Sequence, residues 1–397
     1  MAFLGWIRKL CVTALLILFL AGSAEIGLRF ATALNEQSVL ESPTENSLIA
    51  PCWQASYQLK PLAIQQGENP DTHTHVTIRT NEWGVRGEAV AVPKPAGVFR
   101  ILNLGDESTL AAAVTEEETF SRQLQAAMQP MMKDRLEVIN AGVPGYCPLL
   151  AYLKLRHTLI TLDPDLVIYH FDMTDVADDY RARRQLIMEN GIAQVCPHPD
   201  LVSATQPQQK FCQQLMLFQR GTELWAQNAG TADTRSDQLD IGSPLGKLSW
   251  TLDHPPDWSM YIANALEPLK LMDDLVQRSQ GLFVVSILPK PWQVAADASN
   301  GGHVREQYGM KMNQLYRNDH PFQLVHQFCG QNGIRSFSAT PVLRQHQNPG
   351  TLFLQNAAEF SPKGHSLYAQ LLARNIYQQY QQPAPTASPS VSPTPSP

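Results

Sequence analysis

Five short and nearly continuous apolar runs constrain this chain more than any other feature: Phe99–Leu104, Leu136–Asn140, Leu166–Phe171, Leu282–Leu288 and Ile334–Phe337. Runs of this length without polar alternation read as strands covered on both faces. Helical patterns separate them. Glu117–Met132 follows the first run. Leu149–Leu162 follows the second and ends before Asp163-Pro164. Trp258–Arg278 precedes the fourth and stops at Gly281, Phe322–Gln331 precedes the fifth and stops at Gly333, and Ser366–Tyr380 closes the domain. The alternation predicts an α/β fold, a three-layer α/β/α sandwich on a five-stranded parallel sheet. Apolar residues make up 44% of the 397, enough for a core of that size. Lys+Arg 30 against Asp+Glu 36 leaves a net charge of −6, with no basic excess. That excludes a nucleic-acid binder held by phosphate contacts.

Both ends depart from globular composition. Arg8 and Lys9 precede an apolar run from Leu10 to Ala24. Continued to Leu28 as a helix the run reaches about 28 Å, close to the roughly 30 Å hydrocarbon core of a bilayer. Residues 10–28 are therefore expected to anchor the chain in a cytoplasmic-type membrane as a single-pass protein. The positive flank places the N-terminus inside and the main domain outside, in a periplasmic or equivalent space. Gly22-Ser23-Ala24 also suits a signal peptidase, so a cleaved signal is the alternative. Pro383–Pro397 is almost all Pro, Ser, Thr and Ala and reads as a disordered tail. The expected organisation is an anchor or signal over 1–33, an extended entry over 34–98, an α/β domain over 99–382 and the tail over 383–397. A long insertion at 187–257 is either a lid or a surface elaboration. Of six cysteines, Cys196 and Cys212 form the first expected disulfide, and no spacing resembles a zinc site.

The strand ends carry the chemistry. After the first comes Gly105-Asp106-Glu107-Ser108-Thr109, and after the second Asn140-Ala141-Gly142-Val143-Pro144-Gly145-Tyr146. Asp172-Met173-Thr174-Asp175 follows the third, and Pro289-Lys290-Pro291 the fourth. Asn356-Ala357-Ala358-Glu359-Phe360-Ser361-Pro362-Lys363-Gly364-His365 leads into the last helix. With the entry motif Asn81-Glu82-Trp83-Gly84-Val85-Arg86, these blocks resemble the SGNH (GDSL-type) hydrolase family, in particular its bacterial membrane-anchored branch. The resemblance covers about residues 76–380 apart from the insertion, and implies a flavodoxin-like sheet.

The active site departs from that family. Glu107 stands at the nucleophilic serine position, Thr174 at the oxyanion-hole Asn and Asp172 at a Gly. Glu359 stands at the catalytic His and Asn356 at the catalytic Asp. Gly142 or Gly145 keeps the oxyanion-loop glycine. A serine nucleophile needs a base within reach and the base an orienting partner. All three roles have changed residue together, and triad members act as a unit.

The expectation is a catalytically inactive SGNH-like protein acting as a binding or scaffold subunit of an envelope or membrane complex. The alternative is an esterase or O-acyltransferase on envelope polysaccharide, partnered with a membrane-bound O-acyltransferase, as the resemblance implies. Glycan is a further expected partner, and nucleic acid is not. No cofactor is expected. A Ca²⁺ or Mg²⁺ site at Glu107, Asp172 and Glu359, with Asn356 and Thr174 nearby, is a minor alternative, because close carboxylates take up a proton or a cation. Two carboxylates could also serve glycoside cleavage. A one-residue slip would make Ser108 the nucleophile with His365 as base, although His365 reads more simply as the family's second histidine. Cys147 could approach the cleft but has no paired histidine. His73 and His75 alternate on an expected strand, as polar surface or a metal pair. Trp83, Trp225, Trp250, Trp258 and Trp292 read as packing, or as a glycan-stacking platform.

Overall fold

A computed structural model describes residues 6, 12, 13, 16, 22–25, 48–205, 241 and 246–380. The chain divides into two units. The smaller, Met1–Ser47 with Val202–Ser236, is described at few positions, among them helical residues 22–25. Most of the expected anchor, residues 10–28, lies outside the described residues, as do the tail over 383–397, Cys212 and Trp225. Among the described residues no helix is long and apolar enough to cross a membrane.

The larger unit is built on five strands: β1 Val98–Gly105, β2 Arg135–Gly142, β3 Leu166–Phe171, β4 Leu282–Ile287 and β5 Arg335–Ser338. They pair in the order β5-β4-β3-β1-β2, all parallel. This is the expected flavodoxin-like order, with the direction of strand addition switching between β1 and β3. Every residue of β3 is buried, which explains the unbroken apolar run.

Helices cover both faces. The segment after β1 holds α1 (Glu107–Leu110) and α2 (Phe120–Met128). Then come α3 (Pro148–His157), α4 (Asp175–Arg183), α5 (Ser259–Arg278), α6 (His320–Gln331) and α7 (Pro362–Tyr380). One core packs α3, α4, α5 and α6 on the sheet through residues such as Leu153, Val176, Met272 and Val325. The other packs α2 and α7 through Phe120, Leu124, Tyr368 and Leu372.

The single helix expected over Glu117–Met132 is three pieces. A 3-10 turn over Glu116–Glu118 stops at Thr119, which then caps α2 by accepting from the Arg122 amide at 3.3 Å. Pro130 ends α2 in a second 3-10 turn. The entry segment forms two antiparallel hairpins, Ile49–Pro51 with Tyr57–Leu59 and Ile64–Glu68 with His75–Arg79. His75 opens a strand. His73 sits in the turn at φ +58 with its ring on the Glu68 carboxylate, so the two histidines do not alternate along one strand. The insertion begins with a hairpin of Ile187–Glu189 and Ile192–Val195.

Candidate functional site

The loops at the carboxyl ends of β1 to β4 touch one another through Glu107–Gly145, Ser108–Asp172 and Lys290–Asp172, where a ligand is expected in a sheet of this order. Asp106 leaves β1 and caps α1, accepting from the Ser108 amide at 2.9 Å. It is buried, and burial followed by the charges of Glu107 and Asp172 pushes its carboxyl well above the usual carboxylate range. Glu107 is the first residue of α1 and half-buried. Its Oε2 accepts a hydrogen bond from the Gly145 amide at 3.0 Å.

The two glycines have different tasks. A Cβ on Gly142 would stand 2.3 Å from the Leu110 nitrogen, so Gly142 lets α1 approach β2. Its amide is engaged by Asn140 Oδ1 at 3.1 Å. Gly145 holds φ +70 and aims its amide at position 107. Of the two glycines, Gly145 is the one whose amide is taken by the Glu107 carboxylate.

Asp172 and Thr174, after β3, lie beneath this surface. Thr174 donates both its amide and its hydroxyl to Asp172 Oδ1, each at 2.8 Å. Its hydroxyl is thereby committed to Asp172. Lys290 Nζ lies 2.8 Å from the same Asp172 oxygen, with both side chains 1% exposed. The two opposite charges sit at hydrogen-bonding distance. Burial opposes ionisation of both partners. The Lys290 charge and the Thr174 donors nevertheless keep Asp172 below the usual range, and the Asp172 charge keeps Lys290 protonated. Ser108 is buried and donates to Asp172 Oδ2 at 3.4 Å.

The positions after β5 diverge. Asn356 is exposed and turned to the entry segment: its amide and Nδ2 donate to Asp71 Oδ1 at 2.8 and 3.0 Å. This corrects the expectation that Asn356 lies in the carboxylate pocket. Glu359 is half-buried by area, but its Oε2 is out of solvent and has no hydrogen-bond partner among the described residues. Burial first and the Glu107 charge second raise its pKa to about 7, against the opposing charges of Lys290 and Arg86. His365 is buried near the start of α7, stacked on Phe120 with centroids 5.8 Å apart. Both its ring nitrogens lack partners among the described residues, and burial holds its pKa near 3. It is a core residue, and Ser108 makes its hydrogen bond to Asp172 instead. The slipped Ser108–His365 pair is therefore not formed.

Among the described residues no group of three or more His, Cys, Asp or Glu is arranged to hold a metal ion. The cation reading of Glu107, Asp172 and Glu359 is corrected for a specific reason. Lys290 already supplies the positive charge at Asp172.

Lys290 has no role legible in the sequence, and neither do the groups around it. The Glu107 charge bears on Glu359, Lys290, Lys247, Asp178, Tyr57 and Tyr308. Lys247, from the insertion, pairs with Asp178 at 2.9 Å, and Arg181 lies 3.3 Å from Asp178. The one readable signal is a lysine between two prolines directly after a buried strand.

Arg86 of the entry motif fixes α1 from behind. It is buried and donates to the carbonyls of Leu110, Ala111 and Val114 at 2.7, 2.6 and 2.8 Å, and to Glu116 Oε2 at 2.8 Å. Its amide donates to Asn140 O at 2.9 Å, tying the motif to β2. Of the other candidates, Cys147 is buried and its thiol is pushed well above the usual range by burial, which removes it as a nucleophile. Cys196 is a buried free thiol donating to Ala182 O. Trp250 and Trp292 are buried, and Trp83 and Trp258 half-buried. An apolar cavity of about 390 Å³, lined by Trp250, Trp258 and Phe328 among others, shares no residue with the carboxylate cleft.

No family model matches the sequence. No curated protein matches it. Solved structures similar to this chain include a lipase/acylhydrolase from Enterococcus faecalis, at 13% identity and a TM-score of 0.38 over 71% of this chain and 96% of that one. Another is a putative lipolytic protein of the G-D-S-L family from Desulfitobacterium hafniense, at 11% and 0.36 over 69% and 98%. A third is an acetylxylan esterase from Geobacillus stearothermophilus, at 11% and 0.39 over 70% and 94%. At that identity the chemistry of this cleft rests on its own residues.

Proposed function

We propose that this chain is an SGNH-like domain without serine-esterase turnover, working as a binding or scaffold subunit outside a cytoplasmic-type membrane. Residues 10–28 would tether it. The observation that carries the reading is the Gly145 amide on Glu107 Oε2 at 3.0 Å. One carboxylate replaces the hydroxyl nucleophile and also covers the donor that would stabilise an oxyanion. Losing such a donor alone costs about 10²–10³ in rate. Thr174 and Asn356 are directed elsewhere, to Asp172 and Asp71. What remains at the strand ends is a polar cleft of paired charges with Tyr57 and Tyr308 beside it. Such a lining suits a hydroxylated ligand such as an envelope glycan.

The full chain, purified in mild detergent, tests this. It should hydrolyse p-nitrophenyl acetate and an acetylated glycan no faster than the Glu107→Ala variant. It should also retain either a glycan or a stoichiometric membrane protein from its native membranes, a membrane-bound O-acyltransferase being the partner that the resemblance implies. A monodisperse monomer that retains neither would count against the scaffold role.

A further inference from the structure

The apolar cavity of about 390 Å³ is walled by α5, α6 and the end of the insertion that leads into α5. Its size falls within the roughly 300–1,000 Å³ of small-ligand sites. The helices face it with regular stripes. On α6, His320, Leu324 and Phe328 recur at four-residue spacing, with Gln327 and Gln331 beside them. The lining divides by depth. Trp250 is buried and Trp258, Leu324 and Phe328 are half-buried, whereas His320, Gln327 and Gln331 are exposed around the mouth. The Trp250 indole N–H donates to Met173 O at 2.8 Å, and that of Trp258 to Ser249 Oγ at 2.9 Å. Both rings are thereby fixed with their polar atoms spent, so they offer the cavity ring carbon alone. Among the described residues the side-chain amides of Gln327 and Gln331 make no hydrogen bond within the protein.

A second cavity, of about 270 Å³, lies on the neighbouring face of the first turns of α5. Tyr180, Tyr261, Arg183 and Arg184 line it. Aromatic rings connect the two. Trp258, on the wall of the first cavity, meets Tyr261 with centroids 5.3 Å apart, and Tyr261 meets Tyr180 at 5.1 Å. The Arg184 guanidinium lies 4.8 Å over the Tyr180 ring and donates to its hydroxyl at 3.1 Å. The two arginines differ in task. Arg183 donates to Asp179 and to the Asn264 carbonyl, each at 2.5 Å, and so ties α4 to α5. Arg184 is exposed at the end of the aromatic path.

We propose that this surface is a glycan-binding site for an acidic polysaccharide, with a sugar ring in the Trp258 cavity and a carboxylated sugar at Arg184. A pyranose has an apolar face of C–H bonds and a rim of hydroxyls. The indole and phenyl floor takes the face, and the exposed amides of Gln327 and Gln331 can both donate to and accept from the rim. A guanidinium stacked on an aromatic ring matches a carboxylate in both charge and shape. A lipid chain would leave the amide rim without partners. A folded protein partner needs a broad patch, on the order of 800 Å² per side, where this chain has a concave pocket. The site shares no residue with the carboxylate cleft and does not depend on what the cleft binds. It gives the domain its own hold on an envelope polysaccharide.

Isothermal titration calorimetry of the full chain in mild detergent tests this, with a galacturonate hexamer as the acidic probe and a xylose hexamer as the neutral one. The acidic hexamer should bind more tightly. Trp258→Ala should weaken both probes by about tenfold or more. Ala263 is exposed on the cavity wall, so Ala263→Gln narrows the site without removing core packing and should weaken both as well. Arg184→Ala should cost the acidic hexamer about tenfold and leave the neutral one unchanged. Glu107→Ala should change neither. Absence of binding by the acidic hexamer overturns the proposal, as does binding that Ala263→Gln and Arg184→Ala both leave intact. Binding lost only in Glu107→Ala would put the glycan in the carboxylate cleft, overturning this site while supporting the cleft as a glycan binder.

Discussion

The Gly145 amide nitrogen lies 3.0 Å from Glu107 Oε2, so the loop after β2 and the helix after β1 are joined across the cleft by a carboxylate. A serine at that position would leave the amide free for a reacting oxygen. The glutamate takes the amide for itself and brings a negative charge that Glu359 must accommodate. Glu107 thus links the start of α1 to the loop after β2 and also bears on the proton balance of Glu359.

The Glu359 pKa has a consequence for stability. It is raised from 4.5 to about 7 in the folded chain, so the folded state holds a proton that the unfolded state has released. Stability conferred by that proton is present below about 4.5 and is lost as pH rises through about 7. Denaturant titrations at pH 5 and pH 8 should show Glu359→Gln losing less stability across that window than the parent, by about 1–3 kcal/mol. Parallel curves for the two proteins would remove the shift.

Much of the fold is legible in the amino-acid order alone. The strand expected over Leu166–Phe171 is observed with the same ends, and the other four agree within about two residues. Buried parallel strands have no polar positions, so their ends show as abrupt changes in composition. Glu107 and Glu359 are singled out by the resemblance, and the structure places Glu107 at the start of α1 and Glu359 just before α7. The place of Asn356 is not legible. Asp71, 285 residues away in sequence, takes its amide and side chain, and no local pattern records such a contact. Lys290 is silent for the same reason: its partner is on the neighbouring strand's loop. The helical pattern over Glu117–Met132 overruns the true helix at both ends because Thr119 caps its start and Pro130 turns the chain after Met128.

Lys290 and Asp172 should behave as one unit. Removing the cation alone leaves a buried carboxylate uncompensated, so Lys290→Met should destabilise the domain by about 3–5 kcal/mol. Adding Asp172→Asn to that variant should recover a substantial part. Urea unfolding of the four proteins of the cycle measures this, and additive losses would show that the two are not coupled.

Arg86 should matter as much although it touches no ligand. Arg86→Met would leave the carbonyls of Leu110, Ala111 and Val114 buried without donors. The expected loss is about 3 kcal/mol or more by chemical denaturation. Amide exchange should rise first in α1 and at Gly145. A loss under about 1 kcal/mol would mean that the clamp is not needed.

We propose that this α/β domain does not work through a serine. Fluorophosphonate labelling of the full chain, with the modified residue identified by peptide mass spectrometry, tests it most directly. Ser108 donates to a buried aspartate and among the described residues has no histidine in hydrogen-bond contact, so no label above that of the Ser108→Ala variant is predicted. Stoichiometric label on Ser108, absent in Ser108→Ala and accompanied by ester turnover, would contradict the account.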